Sequence, residues 1–584
     1  LAARRLPPCL ARAATGKLRA MSKNFARSVF LLTLAFFAAF FLWPILQILK
    51  GGFLDADGRF TFAYLGSLLT DPLYLGGLAN SFLLALTTTS IALLIALPLA
   101  FISDRFNYPG KGALASLVLV PMILPPFVGA IGIKQILGQY GAFNSLLIDL
   151  GLRSPGWTFD WLGTNQFLGI ALVNAFSLYP IIYLNAVAAL ANIDPAMEEA
   201  AANLGCVGFR RFFKITLPLI KPGLFAGGTI VFIWAFTDLG VALIFDYSRL
   251  TSVQIFYGLK DIGGNPFPYA LVAVMLVSSI LFYALGKGLF GRQAYAMMAK
   301  ATSAGGAVAL PRGRAWLCTG LFTLVTFVAV LPHLGVVLVA FSRDWYATVL
   351  PQHLTLDNFR LALGHDLTVP AIANSLKYAS ISTVIDVVLG IALAYVIVRS
   401  KIAGRGLLDF LAMLPLAVPG LVLAFGYLAM SQDGKVFAFL NPIRNPTMLL
   451  IIAYSIRRLP YVVRSAAAGF QQTSETLEEA AQNLGCPPLK ATFKITLPLI
   501  MANLIAGGLL AFAFAMLEVS DSLILAQKQS YYPITKAIYE LFQLLGDGKF
   551  IASALGVWAM AFLGILMTGM TVLLGKKLGA IFRV

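Results

Sequence analysis

Five ionisable residues stand in stretches otherwise apolar enough to be buried: Asp238, Arg457, Arg458, Glu518 and Asp521. A charged side chain at the centre of a bilayer costs at least about 2.5 kcal/mol, so each needs a partner or water. Arg457 and Arg458 fall near the middle of one apolar stretch. Glu518 and Asp521, three apart, share one helical face in the next, and Asp238 holds the place in the first half of the chain that Glu518 holds in the second. Opposite charges on neighbouring spans predict that Arg457 or Arg458 pairs with Glu518 or Asp521 beside a path for solute. The rival arrangement has the arginines snorkelling toward an interface. Residues for making and breaking bonds are missing. There is no G-x-x-x-x-G-K-[ST] to cradle phosphates, no nucleophile or paired-carboxylate constellation, and His333, His353 and His365 are too scattered for a metal site. No catalytic residue, metal ligand or bound cofactor is expected on this chain.

A second pattern occurs twice. Glu198–Ile220 reads EEAAANLGCVGFRRFFKITLPLI and Glu478–Ile500 reads EEAAQNLGCPPLKATFKITLPLI. Asp194-Pro195 and Ser474 precede the two copies as helix N-cap signals. Glu198, Glu199, Glu478 and Glu479 then fall in or near the first turn, where carboxylates suit the helix N-terminus. Ala200, Ala201, Ala480 and Ala481 keep one face slim, and Gly205 and Gly485 end the helix by admitting a left-handed backbone. Each copy predicts a helix, a bend and a second helix running through Pro218 or Pro498. Such a rigid element can transmit a push.

At these residues the chain resembles the membrane-spanning permeases of ATP-binding-cassette (ABC) importers, whose EAA loop docks on the ATPase subunit. The resemblance implies a type I ABC importer permease with two fused halves working by alternating access. It implies two copies of a cytoplasmic ATPase, which use ATP and Mg, and an extracytoplasmic solute-binding protein. It assigns ATPase docking to Glu198, Glu199, Ala200, Ala201 and Gly205 and to Glu478, Glu479, Ala480, Ala481 and Gly485. Arg457–Ala468 and Glu518–Ser522 resemble the ferric-iron importer permeases, which implies ferric iron as cargo. The same permease role for a phosphonate, a sugar phosphate, thiamine or another small solute is the alternative. The expectation in either case is that the binding protein sets specificity and the permease path holds cargo weakly. A major-facilitator-like secondary transporter is the alternative class, against which the duplicated docking helices speak.

These residues need a membrane scaffold. With 59% hydrophobic and 12% charged residues and a mean hydropathy of +0.84, the 584-residue chain is too apolar for a soluble protein. Twelve stretches long enough to span predict an all-α integral membrane protein of about twelve transmembrane helices. They lie at about 28–49, 77–103, 112–136, 167–190, 222–245, 268–290, 315–341, 370–398, 407–430, 447–470, 503–526 and 550–575. Most of the 43 Lys and Arg fall in alternate loops, so the net charge of +18 marks topology, not nucleic acid. That asymmetry puts both termini and both EAA loops in the cytoplasm of a multi-pass bacterial inner-membrane protein.

Asn80-Ser81 recurs as Asn374-Ser375, and Pro121 and Pro125 recur as Pro415 and Pro419, so the halves form parallel six-helix repeats. The predicted division is a basic tail 1–27, with 1–20 an extension upstream of Met21, halves 28–291 and 315–584, and a flexible linker 292–314. The first half carries about 14 additional residues around Gly138–Asn165, where Trp157 and Trp161 suit an interface. Cys9, Cys206, Cys318 and Cys486 give no disulfide framework.

Overall fold

The structure, a computed structural model, describes residues 24, 26–55, 57–163, 166–259, 265–297 and 308–574. The first half comprises α1 (Ala26–Phe53), α2 (Pro72–Arg105), α3 (Lys111–Ile123), α4 (Pro126–Leu137), α5 (Phe167–Ala191), α6 (Pro195–Asn203), α7 (Leu217–Phe236), α8 (Gly240–Ile244), α9 (Thr251–Gly258) and α10 (Phe267–Leu285). The second comprises α11 (Arg312–Phe341), α12 (Thr368–Arg399), α13 (Arg405–Leu416), α14 (Gly420–Met430), α15 (Thr447–Gln472), α16 (Glu475–Asn483), α17 (Met501–Met516), α18 (Ser520–Leu525), α19 (Ile534–Phe542) and α20 (Gly548–Gly569). The tail 1–27 lies almost wholly outside the described residues, as do Cys9 and residues 298–307 of the linker. The described linker ends continue the helix after α10 to Met297 and pair Val308–Ala309 with Phe106–Asn107.

Among the described residues eight helices are long and apolar enough to span, or eleven if each of three bent pairs counts as one. The tenth expected span, α15, is not among them: it has the length at 26 residues but carries Arg457, Arg458 and Arg464. Two of the expected spans are broken, and a third is entered through a bend. α3 meets the helix beginning at α4 at 94°, α13 meets α14 at 100°, and the helix Pro488–Leu499 meets α17 at 76°. Pro125 and Pro419, already visible as a repeat, sit at the first two breaks, where a proline removes an amide and pushes the preceding residue out of helical geometry. The fifth and eleventh spans are each interrupted near their far ends, at Thr237–Leu239 and Leu517–Val519.

Each half has a bundle at its centre: α2, α5 and α7 pack together, as do α12, α15 and α17. The opening helices cross over, α1 packing on α14 of the second half and α11 on α4 of the first. Both crossings run over a glycine. A Cβ on Gly426 would stand 2.8 Å from Pro44 Cβ, and one on Gly132 would collide with the Pro332 carbonyl. The 29-residue segment from Gly138 to Gln166 does hold an added helix, Ala142–Asp149, tied down by Trp161 Nε1 donating to Asn144 Oδ1 at 2.6 Å.

Candidate docking loops and buried charge cluster

The two EAA loops fold alike because their caps and stops repeat. The Asp194 carboxylate accepts from the Ala196 amide at 3.0 Å, and Ser474 Oγ accepts from the Thr476 amide at 3.3 Å. Gly205 and Gly485 have φ of +75° and +90°, and the following Cys206 and Cys486 amides reach back to the carbonyls of Ala201 and Ala481 at 2.9 and 3.0 Å. That is the Schellman closure the glycines predicted. After the bend each loop makes one wide π turn, Phe212–Thr216 and Thr492–Thr496, ending two residues before Pro218 and Pro498, whose missing amides loosen the helix there.

The paired glutamates, all four assigned to docking by the resemblance, differ in exposure: one of each pair turns inward and the other outward. Glu198 and Glu478 are buried. Thr216 Oγ1 donates to Glu198 at 2.8 Å and Arg105 Nη2 pairs with it at 2.7 Å, while Thr496 Oγ1 donates to Glu478. Arg399, at the end of α12 as Arg105 is at the end of α2, binds the Thr473 carbonyl at 2.5 Å and Glu475 at 3.1 Å. These groups fasten each loop to its own bundle. Ala201 is also buried and Ala481 half-buried, whereas Glu199, Ala200, Gly205, Glu479, Ala480 and Gly485 are exposed. Around the exposed set stands an apolar surface the sequence reading missed: Leu204 (87% exposed), Phe209 (85%), Leu484 (90%) and Phe493 (65%). Its signal was available, since Leu204 and Leu484 precede the two motif glycines.

The charged residues gather farther along the same helices, Arg457 and Arg458 near the middle of α15 and Glu518 just past the end of α17. Arg457 Nη1 lies 2.6 Å from Glu518 Oε1 and 3.2 Å from Asp521 Oδ2, and Arg458 pairs with the second oxygen of Glu518. The arginines are therefore partnered within the protein, not snorkelling. Arg458 also donates to the Phe514 carbonyl at 3.2 Å, with its guanidinium 5.5 Å from the Phe514 ring. Glu518 and Asp521 do not share one helical face as expected: Glu518 sits in the break between α17 and α18, and Asp521 in the first turn of α18. Asp238 occupies the matching break between α7 and α8, its carboxylate accepting from the Ala242 amide at 3.2 Å. In both breaks a carboxylate faces amides freed at a new helix N-terminus.

A cavity of about 220 Å³ lies between the breaks of both halves, bordered by Pro125, Trp234 and Asp238 on one side and Pro419, Arg457, Arg458, Tyr461 and Glu518 on the other. Its walls are symmetric in position and asymmetric in charge. Ser177 and Leu178, which stand in α5 where Arg457 and Arg458 stand in α15, border the same cavity. The sequence reading also overlooked Asp386, fully buried in α12 and accepting from Ser455 Oγ at 2.6 Å. A lone aspartate inside a 32-residue apolar helix was its signal. Of the histidines, His333 is buried and donates through Nε2 to the Pro125 carbonyl at 3.2 Å, so it braces the break of the third span.

Comparison with known proteins agrees with this architecture. The family described as "Binding-protein-dependent transport system inner membrane component" matches residues 96–294 and again 386–579. A ferric transport system permease protein of Actinobacillus pleuropneumoniae is 27% identical over 504 residues, 82% of this chain and 69% of that protein. An Fe(3+)-transport system permease protein of Haemophilus influenzae is 22% identical over 506 residues, 86% of this chain and 89% of the relative. A spermidine/putrescine transport system permease protein of the same organism is 34% identical over 197 residues, 33% of this chain and 68% of its own length. With two matches that together cover more than half of its length, the chain belongs to the binding-protein-dependent transport system inner membrane component family, as an ABC importer permease whose two family domains are fused in one polypeptide.

Proposed function

We propose that this permease carries ferric iron, delivered by an extracytoplasmic solute-binding protein, through the bacterial inner membrane, and that each EAA loop receives one copy of a cytoplasmic ATPase. Two features support the reading. Relatives spanning most of both chains are described as ferric transport permeases. The observation that carries it is the pair of anchored loops, each fixed from within by Glu198 or Glu478 and presenting outward a glutamate, a glycine and apolar side chains. A groove on an ATPase can bury Leu204 and Phe209, or Leu484 and Phe493, while Glu199 and Glu479 meet its polar rim. The ties to Arg105 and Arg399 pass the loop's displacement into α2 and α12.

In this reading both termini and both loops are cytoplasmic, ATP and Mg are used by the partner ATPase, and the permease binds neither. Asp238, Arg457, Arg458, Glu518 and Asp521 line or flank the pathway, where they offer cargo transient polar contacts. Specificity lies mainly with the binding protein.

The test reverses charge at both docking helices. Glu199→Lys with Glu479→Lys abolishes co-purification of the ATPase and ATP-dependent uptake while the chain still inserts. Wild-type ATPase recovery with wild-type uptake in the double variant would refute the docking assignment.

A further inference from the structure

The repeated Asn-Ser pair acquires a role in the structure. Ser81 Oγ accepts from the Thr251 amide at 3.0 Å and Ser375 Oγ accepts from the Ile534 amide at 2.7 Å, at the starts of α9 and α19. Asn80 donates to the Arg249 carbonyl at 3.1 Å, and Asn374 to the Ser530 and Tyr532 carbonyls at 3.0 and 3.2 Å. The second helix of each half thus caps a short helix at the bundle end away from the EAA loops. These caps also set the correspondence between the halves. Phe256 and Tyr539 each stand five residues past their capped amide, so they are equivalent positions.

Phe256 and Tyr539 touch each other edge to face, with ring centroids 6.3 Å apart. When a residue packs against its own equivalent in a two-fold repeat, both stand beside the axis. A pathway between the halves follows that axis and is blocked where they meet. Lys536 Nζ lies over three rings there, 5.9 Å from Phe256, 5.6 Å from Tyr539 and 5.5 Å from Tyr532, and pairs with Glu540 at 2.9 Å. A second lysine crosses in the opposite sense. Lys134 of α4 lies 5.8 Å over Phe542 of α19 while donating to the Ile244 carbonyl at 3.0 Å. Both helices are tied to the cavity: Ser252 Oγ donates to the Asp238 carbonyl at 2.5 Å and Thr535 Oγ1 to the Glu518 carbonyl at 2.6 Å.

We propose that α9 and α19 form the gate at the end of the pathway away from the EAA loops, and that Lys536 and Lys134 hold it shut by resting on aromatic rings of the opposite half. The conformation described here is closed at that end. The hydroxyl ties carry movement of the acidic breaks into the gate, so separating the halves draws the lysines off their rings. The inference does not depend on which cargo passes.

The test uses the full chain with Cys9, Cys206, Cys318 and Cys486 replaced by serine and Ser177→Cys placed in the cavity. A charged, membrane-impermeant thiol reagent is applied to right-side-out and inside-out vesicles, with Leu204→Cys in a parallel chain marking the EAA side. Expected in the parent is slow labelling of the cavity cysteine from the side opposite Leu204→Cys. Lys134→Met with Lys536→Met raises that rate about tenfold from that side only, the scale of two lost cation–ring contacts. Lys536→Arg, which keeps a cation over the rings, leaves it within about twofold. Should the double methionine variant fail to reach the membrane, Phe256→Leu with Tyr539→Leu gives the same increase. Fast labelling of the parent from that side, or an unchanged rate in an inserted gate variant, overturns the proposal. Loss of ATPase docking leaves both results intact, so the gate and the docking assignment fail independently.

Discussion

Glu518→Gln is the sharpest perturbation of the charge cluster because one carboxylate serves two arginines. The Glu518 side chain is 5% exposed, and those of Arg457 and Arg458 are 17% and 8% exposed. After the substitution Arg457 keeps Asp521 at 3.2 Å, while Arg458 loses its direct ion pair and keeps the Phe514 carbonyl at 3.2 Å, the ring face beside it and the longer-range attraction of Asp386 and Asp521. Breaking a buried pair from one side costs about 3–5 kcal/mol; the retained partners put this case at about 3 kcal/mol, or roughly 150-fold in the folding equilibrium. If each half melts as a unit, that lowers the thermal midpoint by about 5 °C. Adding Arg458→Met removes the stranded charge and should restore much of the loss, so the double variant melts above Glu518→Gln alone. The assay is the melting midpoint of the purified full chain, read by tryptophan fluorescence, for wild type, both single variants and the double. A Glu518→Gln midpoint equal to wild type, or losses that simply add in the double variant, would refute the pairing energetics.

Three further substitutions, one of them a control, probe the supports of the cluster and the gate. Gly420→Ala puts a methyl group into the Arg457 guanidinium and should impair uptake severely, whereas Gly406→Ala, with open space around it, should leave uptake unchanged. Ser375→Ala removes the acceptor for the Ile534 amide at a cost of about 1 kcal/mol and should speed amide exchange at the start of α19 while leaving α9 as it was.

What could be read from the sequence was whatever rests on local chemistry. The EAA helices, their caps and their left-handed glycines follow from residue types at fixed spacing, and the structure reproduces them in both copies. The spans follow from apolar length, although hydropathy cannot report that Pro125 and Pro419 turn a stretch through about a right angle. Long-range choices were less legible. Glu198 and Glu199 are identical neighbours in the text, and only the positions of Thr216 and Arg105 decide which one turns inward. The Asn-Ser repeat was visible, but its capping partners lie more than 150 positions away. Arg457 and Glu518 could be matched across two spans because unpaired charge is costly in a bilayer; Asp386 obeys the same rule and was overlooked.

The most direct measurement of the central claim is cargo uptake by the full chain in proteoliposomes, with its ATPase and its ferric-loaded binding protein supplied or withheld. The account predicts iron accumulation that requires both partners and ATP hydrolysis and does not respond to a proton or sodium gradient. Accumulation at the same rate without the ATPase, driven by an imposed ion gradient, would contradict it.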